Sequence, residues 1–238
     1  MTALDFLSLY SLTDVFAVVV IIAAWLAVGW RIENPRPERP SVSMLMAEYR
    51  REWLRHMIER DNRIFDAQTL GTLRGATSFF ASSTMIAIGG VAALLGNSEQ
   101  LRGVATDLGV AEASASRASD VYWEVKLCLI AFFLVNAFLK FVWSNRLFGY
   151  CGVLMGAVPN GTDDPRAMPR AMKAAEINVY GARGFNRGLR SIYFALAATG
   201  WFLGPWGLIV ATALTCGVLW RREFASDSRA MLLRREDP

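Results

Sequence analysis

The chain has 238 residues, 54% of them hydrophobic and only 19% charged, with a formal net charge of +4. A soluble domain of this size carries about a quarter charged residues, and here residues 15–30, 75–98 and 191–220 carry none. Uncharged runs near ~20 residues suit helices that cross hydrocarbon, and the missing ~10-residue alternation excludes a membrane barrel.

Three separated cysteines, Cys128, Cys151 and Cys216, form no CxxC pair. They suggest neither a disulfide framework nor a thiolate metal site. The basic surplus is read as loop topology and attraction to anionic lipid, with no nucleic acid as partner.

The first span is expected over about 11–31. Ser11-Leu12-Thr13-Asp14 has the form of a capping box, and Trp30-Arg31 suits an interface. No Lys or Arg precedes this run and no small-residue cleavage pattern follows it, so it reads as a retained anchor. Pro35, Pro37 and Pro40 then favour an extended link.

Over 41–66 an amphipathic cytoplasmic helix is predicted. Val42, Met46, Tyr49, Trp53 and Met57 mark one face, and Glu48/Arg51, Glu52/Arg55 and Glu59/Arg63 pair successive turns. Such a helix lies in the headgroup plane or packs beneath the spans.

The second span, about 72–96, is rich in small residues. Ser78/Ser82, Ser83/Ala87 and Gly89/Ala93 have the spacing that lets backbones approach in lipid, which predicts a place within the bundle. An acid-rich stretch over 97–124 follows, with Arg102 and Arg117 as its cations. The third span, about 121–145, continues as helix past the membrane through Phe148 and Leu154. Its two lysines, Lys126 and Lys140, are expected to snorkel to the interfaces. In the next polar segment, about 159–185, Thr162-Asp163-Asp164-Pro165 reads as a helix start.

The last apolar run poses the topological question. As one helix, residues 191–220 would extend ~45 Å against a ~30 Å core. Gly204-Pro205 sits near the middle, where a turn is chemically easy. Lys and Arg number nine over 31–74, two over 97–124, seven over 145–190 and five over 221–238. An outside N-terminus places the nine and the seven in the cytoplasm. A hairpin with spans 186–203 and 205–222 returns the basic tail there too. Arg187, Arg190, Arg221 and Arg222 then snorkel at its ends.

The expected fold is therefore an all-α, polytopic membrane helix bundle with four or five spans plus amphipathic cytoplasmic helices. It forms one membrane domain over 1–225 with a polar tail over 226–238. The expected location is the bacterial inner membrane.

Gln68-Thr69-Leu70, Ser144-Asn145-Arg146, and the run Phe185-Asn186-Arg187-Gly188-Leu189-Arg190 through Trp201-Phe202-Leu203-Gly204-Pro205 resemble an uncharacterised membrane family. This is the domain-of-unknown-function family five-nine-nine, of bacteria and plants, and the likeness runs from the first span to about Phe224. The resemblance implies an integral membrane location. It carries no enzymatic activity and no catalytic residues to transfer.

Candidate sites are few. Asn136 and Lys140 share a helical face, and an amide and an ammonium inside a bundle point to a solute or anion site. The plainer reading has Lys140 snorkelling and Asn136 bonding a neighbouring helix. Arg183, Arg187 and Arg190, interleaved with Gly181, Gly184 and Gly188, point to lipid headgroups rather than nucleotide. Arg74, at the edge of hydrocarbon, must meet water, phosphate or a partner. Glu52, His56 and Glu59 form one stripe, yet no matching Glu-x-x-His completes a metal site.

No metal, cofactor or catalytic set is expected. The first functional expectation is a non-enzymatic accessory, scaffold or homo-oligomeric component with membrane lipids, self-association or a larger complex as partners. A small-solute or anion channel is the second expectation, and an enzyme acting on anionic lipid through His56 the third.

Overall fold

The computed structural model describes residues 11–97, 117–161 and 163–234, and among them every regular element is helical. α1 (Leu12–Glu33) begins with the expected box. The Asp14 amide donates to Ser11 Oγ at 3.1 Å, and Asp14 Oδ2 accepts from the Ser11 amide at 3.3 Å. This reciprocal pair satisfies donors that a helix start leaves open. After the proline-rich link, Ser41 caps α2 (Val42–His56) by accepting from the Met44 amide at 3.3 Å. Its hydroxyl also donates to the Ile32 carbonyl at 2.9 Å, tying the start of α2 to the end of α1.

The amphipathic helix ends at His56 rather than near residue 66. A 3-10 turn, Met57–Glu59, and extended backbone at Arg60 lead into α3 (Ile64–Gly96). Buried Asp66 holds this bend, accepting from Trp53 Nε1 at 2.6 Å and from the Arg60 guanidinium. Asn62 Oδ1 accepts from the Ile64 amide at 2.9 Å. An Asn side chain that takes a backbone donor in this way favours a turn or helix start over a continuing helix. Apolar periodicity alone runs across the bend unchanged.

α4 (Arg117–Gly156) continues past Leu154 as one helix of 40 residues. The acid-rich expectation over 97–124 falls largely on residues outside the described set, as do Thr162 and residues 235–238. α5 (Ala167–Thr199) begins just after Asp164, whose carboxylate accepts from the Arg166 amide at 2.8 Å and from its guanidinium. Those hydrogen bonds hold the Asp164 carboxyl down at about 2.

A 3-10 turn, Gly200–Leu203, closes α5, followed by α6 (Pro205–Phe224) and α7 (Asp227–Leu232). Between them Gly204 has φ +93° and ψ 177°, a region that only glycine occupies without strain. Pro205 then supplies a preset φ at the first helical position.

Contacts group the chain into two compact units. One takes residues up to Trp30, Thr84–Ala137 and Arg190–Leu219; the other takes Arg31–Ser83, Phe138–Leu189 and residues from Trp220 on. In the first, Ile21, Phe133, Phe194, Trp201 and Leu208 form the core. Trp25 meets Phe132 and Phe133 edge-on at 5.9 and 5.6 Å. Gly200 lies against Gly207 and Ala211, so closely that a Cβ on Gly207 would overlap the Gly200 carbonyl oxygen.

In the second unit, Leu54, Met57, Leu70, Phe148, Cys151 and Met155 pack with Ala167, Ala171, Ala174 and Ala175. The alanine spacing is one helical face, and its small side chains let the α5 backbone approach closely. Asn186 Nδ2 donates to Ser43 Oγ at 3.3 Å, and the Ser43 amide and hydroxyl donate to Glu223 at 3.0 Å each. Residues on both sides of Gly204 thus reach Ser43, so the chain folds back.

Three helical stretches are long and apolar enough to cross a membrane: Leu12–Glu33, Ile64–Gly96 and Val121–Gly156. The hairpin arms, expected as spans 186–203 and 205–222, are not among them.

α3 departs from expectation. Only 6% of its apolar stretch is buried, against 17% for α1 and 39% for α4. Leu70, Thr77 and Thr84 are buried, seven residues apart, so a single narrow seam holds the helix. Ser78, Ser82, Ser83, Ala87, Gly89 and Ala93 are all exposed. Of the small-residue pairs that predicted a place inside the bundle, Ser78 still meets α4 by accepting from Asn145 Nδ2 at 2.7 Å, while Gly89 has no atom of the described residues within 4 Å of a built Cβ.

Candidate functional site

Lys126 is expected at an interface but is buried, with 2% exposure. Its Nζ lies 3.9 Å from the centre of the Tyr122 ring, 4.8 Å from Trp123 and 5.8 Å from Trp201. Ring faces attract cations through their quadrupoles, more strongly when water is excluded. Trp201 Nε1 in turn donates to buried Asp14 Oδ1 at 2.8 Å, which ties a carboxylate to one of the rings around Lys126. One aspartate therefore caps α1 and fixes Trp201 beside Lys126. The sequence signal was available: each of these two apolar helices carries an ionisable residue of opposite sign, and such residues rarely sit there without a partner.

The residues singled out from the sequence are scattered. Asn136 Oδ1 accepts from Ser191 Oγ at 3.0 Å within the first unit. Lys140 belongs to the second unit, half-buried, and no ion pair or side-chain hydrogen bond engages it among the described residues. Arg187 is bidentate to Glu33, with Nε to Oε1 at 2.8 Å. Arg190 is buried at 6% exposure, and Arg183 sits 5.8 Å from the Tyr180 ring centre.

Gly181 and Gly188 pack on rings of α4 rather than opening a phosphate cradle. A Cβ would come within 2.9 Å of Phe148 and 2.6 Å of Phe141, respectively. His56 stands between Glu52 and Glu59 at 3.6 and 3.5 Å, half exposed. No group of three such side chains among the described residues is arranged to hold a metal.

α2 is fastened to α5 by polar contacts. Arg50 donates to Asn178 Oδ1 at 2.6 Å, and Arg51 Nε donates to Glu176 Oε1 at 2.6 Å. The hydrogen bond from Arg51 holds the Glu176 carboxyl below its ordinary value. The pair's contribution is therefore present above the usual glutamate range and lost as pH falls through the lowered value. Hydrogen exchange in α2 is expected to rise on acidification below about pH 4. Glu176→Gln should exchange faster at neutral pH and lose that pH step. Because both groups are partly solvated, the effect is small.

Between the start of α3 and the end of α4 lies a pocket of about 450 Å³. Arg63, Arg74 and Asn160 supply its polar side, and Leu70, Met155 and Gly152 belong to its apolar side. The Arg63 guanidinium is fixed by donating to the Val158 and Pro159 carbonyls at 2.7 Å each, while its Nε is buried without an acceptor. Arg74 is exposed, and no hydrogen bond or ion pair engages it among the described residues.

Comparison with known proteins gives one match: the model of a family described as "Protein of unknown function, DUF599" covers residues 16–228. No curated protein and no solved structure matches the chain.

Proposed function

The chain belongs to this family of unknown function, and we propose that it is a non-enzymatic component of the bacterial inner membrane that works by association within the bilayer. The exposed small-residue face of α3 carries this reading. Lipid tails pack against Leu as well as another helix does, so TM helices associate where small residues let backbones close in. Towards the end of α3 that face is uncovered by the described residues: Gly89 and Gly90 have no atom within 4 Å of a built Cβ. A second copy of α3 supplies the missing surface.

In this proposal α1, α3 and α4 cross the bilayer, and the arms around Gly204 supply the fourth and fifth crossings. The fold-back onto Ser43 supports that count, because it returns Glu223 to the neighbourhood of Asn186. The distribution of Lys and Arg supports an outside N-terminus.

The test is mass by light scattering in mild detergent. Wild type is expected as a dimer or larger assembly, and Gly90→Ile is expected to shift it towards monomer at least roughly tenfold in dissociation constant. A wild-type monomer at the same protein-to-detergent ratio, or an unaffected Gly90→Ile variant, contradicts the reading.

A further inference from the structure

We infer that the pocket bounded by Arg63 and Arg74 binds the phosphate of an anionic phospholipid. The inference is independent of how α3 associates.

The pocket's charge is one-sided. Arg63 and Arg74 both line it, and its lining includes no carboxylate. The nearby acid, Asp66, is not part of the lining: Trp53 and Arg60 both engage its Oδ1, and its Oδ2 is buried without a partner. Arg63 is pinned at the wall by two carbonyls, while Arg74 is uncommitted among the described residues. A fixed cation beside a free one is a demand for an anion, and an arginine fork is well shaped for phosphate oxygens.

Position selects a lipid source. Arg74 is the last charge in α3 before an uncharged run to its end at Gly96, which places it where hydrocarbon gives way to headgroups. The other side of the pocket includes Leu70 and Met155, surfaces suited to the upper part of an acyl chain. Anionic lipids are drawn to such basic pockets between TM helices.

Room is also built in. A Cβ at Gly71 or Gly156 would meet no atom within 4 Å, so both glycines border open space. The volume, about 450 Å³, lies in the range of small-molecule sites. A side chain begun at either glycine would enter that space without a clash at its Cβ.

Native mass spectrometry of the full chain tests this. The protein is exchanged into mixed micelles containing phosphatidylglycerol or phosphatidylcholine, and in a third arm inorganic phosphate alone. At least one phosphatidylglycerol is expected to remain bound at activation energies that strip phosphatidylcholine. Retention should fall roughly tenfold in Arg74→Ala, as the loss of a charge-assisted contact implies, and similarly in Gly71→Leu, which fills the space. Arg222→Ala, far along the chain from the pocket residues, should retain lipid as wild type does.

Both pocket variants should elute as wild type does in size exclusion, because Arg74 is exposed and Gly71 faces open space. Equal retention of both lipids, or undiminished retention in both pocket variants, overturns the inference. Saturable binding of inorganic phosphate, with no preference between lipids, also overturns it by assigning the pocket to a soluble anion.

Discussion

Asp14→Ala is expected to lower the stability of the solubilised protein by about 1–3 kcal/mol, the range for leaving a buried donor without its acceptor. Three losses combine. The α1 start loses the half of its cap in which Asp14 Oδ2 accepts from the Ser11 amide, while the residue-14 amide still donates to Ser11 Oγ, so this loss is under about 1 kcal/mol. Trp201 Nε1, now bonded to Asp14 at 2.8 Å, is left without its acceptor in a buried position, at about 1–3 kcal/mol. Lys126 keeps its three aromatic faces but loses the carboxylate tied to one of them.

Lys126→Met alone should be mild, since an apolar chain of similar length removes the buried cation together with its desolvation penalty. The double variant should therefore recover part of the Asp14→Ala loss. Thermal unfolding of the four proteins measures the coupling. Strict additivity would mean that Asp14 acts as a cap and a Trp201 acceptor only.

Gly207→Ala is expected to cost about 3 kcal/mol, at the upper end for overpacking, and to lower the yield of folded protein in membranes. The Cβ would overlap the van der Waals sphere of the Gly200 carbonyl oxygen and press on Leu203 Cβ at 2.9 Å. A backbone carbonyl inside a tight hairpin cannot swing aside as a side chain can, so the two arms would have to separate. Gly217 lies on the same helix with nothing within 4 Å of a built Cβ. Gly217→Ala should instead be neutral or stabilising by up to about 1 kcal/mol, because alanine is the better helix former. Thermal midpoints that move the same way for both variants would contradict this account of the hairpin.

Much of the backbone was legible from local chemistry. The Ser11–Asp14 box, the helical continuation of the third span past Leu154, and the break at Gly204-Pro205 each follow from residues within a few positions of each other. The bend after His56 was harder, because Arg60 and Arg63 sustain an amphipathic pattern while Asn62 and Asp66 quietly start a new helix.

The site features were less legible because they depend on contacts between distant segments. Gly181 and Gly188 look like a basic, glycine-rich anion loop until Phe148 and Phe141 are seen against them. Lys126 reads as a snorkelling cation until Trp201, far along the sequence, closes over it. Arg187 and Arg74 are alike as exposed basic residues in the sequence. Structure separates them, since Glu33 takes the fork of one and no partner among the described residues takes the other.

The small-residue face of α3 was visible from spacing, although among the described residues only its Ser78 end meets the same chain, at Asn145, and the Gly89–Gly90 end is left uncovered. Counting labelled subunits, by single-molecule photobleaching in nanodiscs drawn directly from native membranes, tests that partner's identity. The account predicts two or more copies per disc for wild type and predominantly single copies for Gly90→Ile. Single copies throughout for the wild-type protein would contradict it.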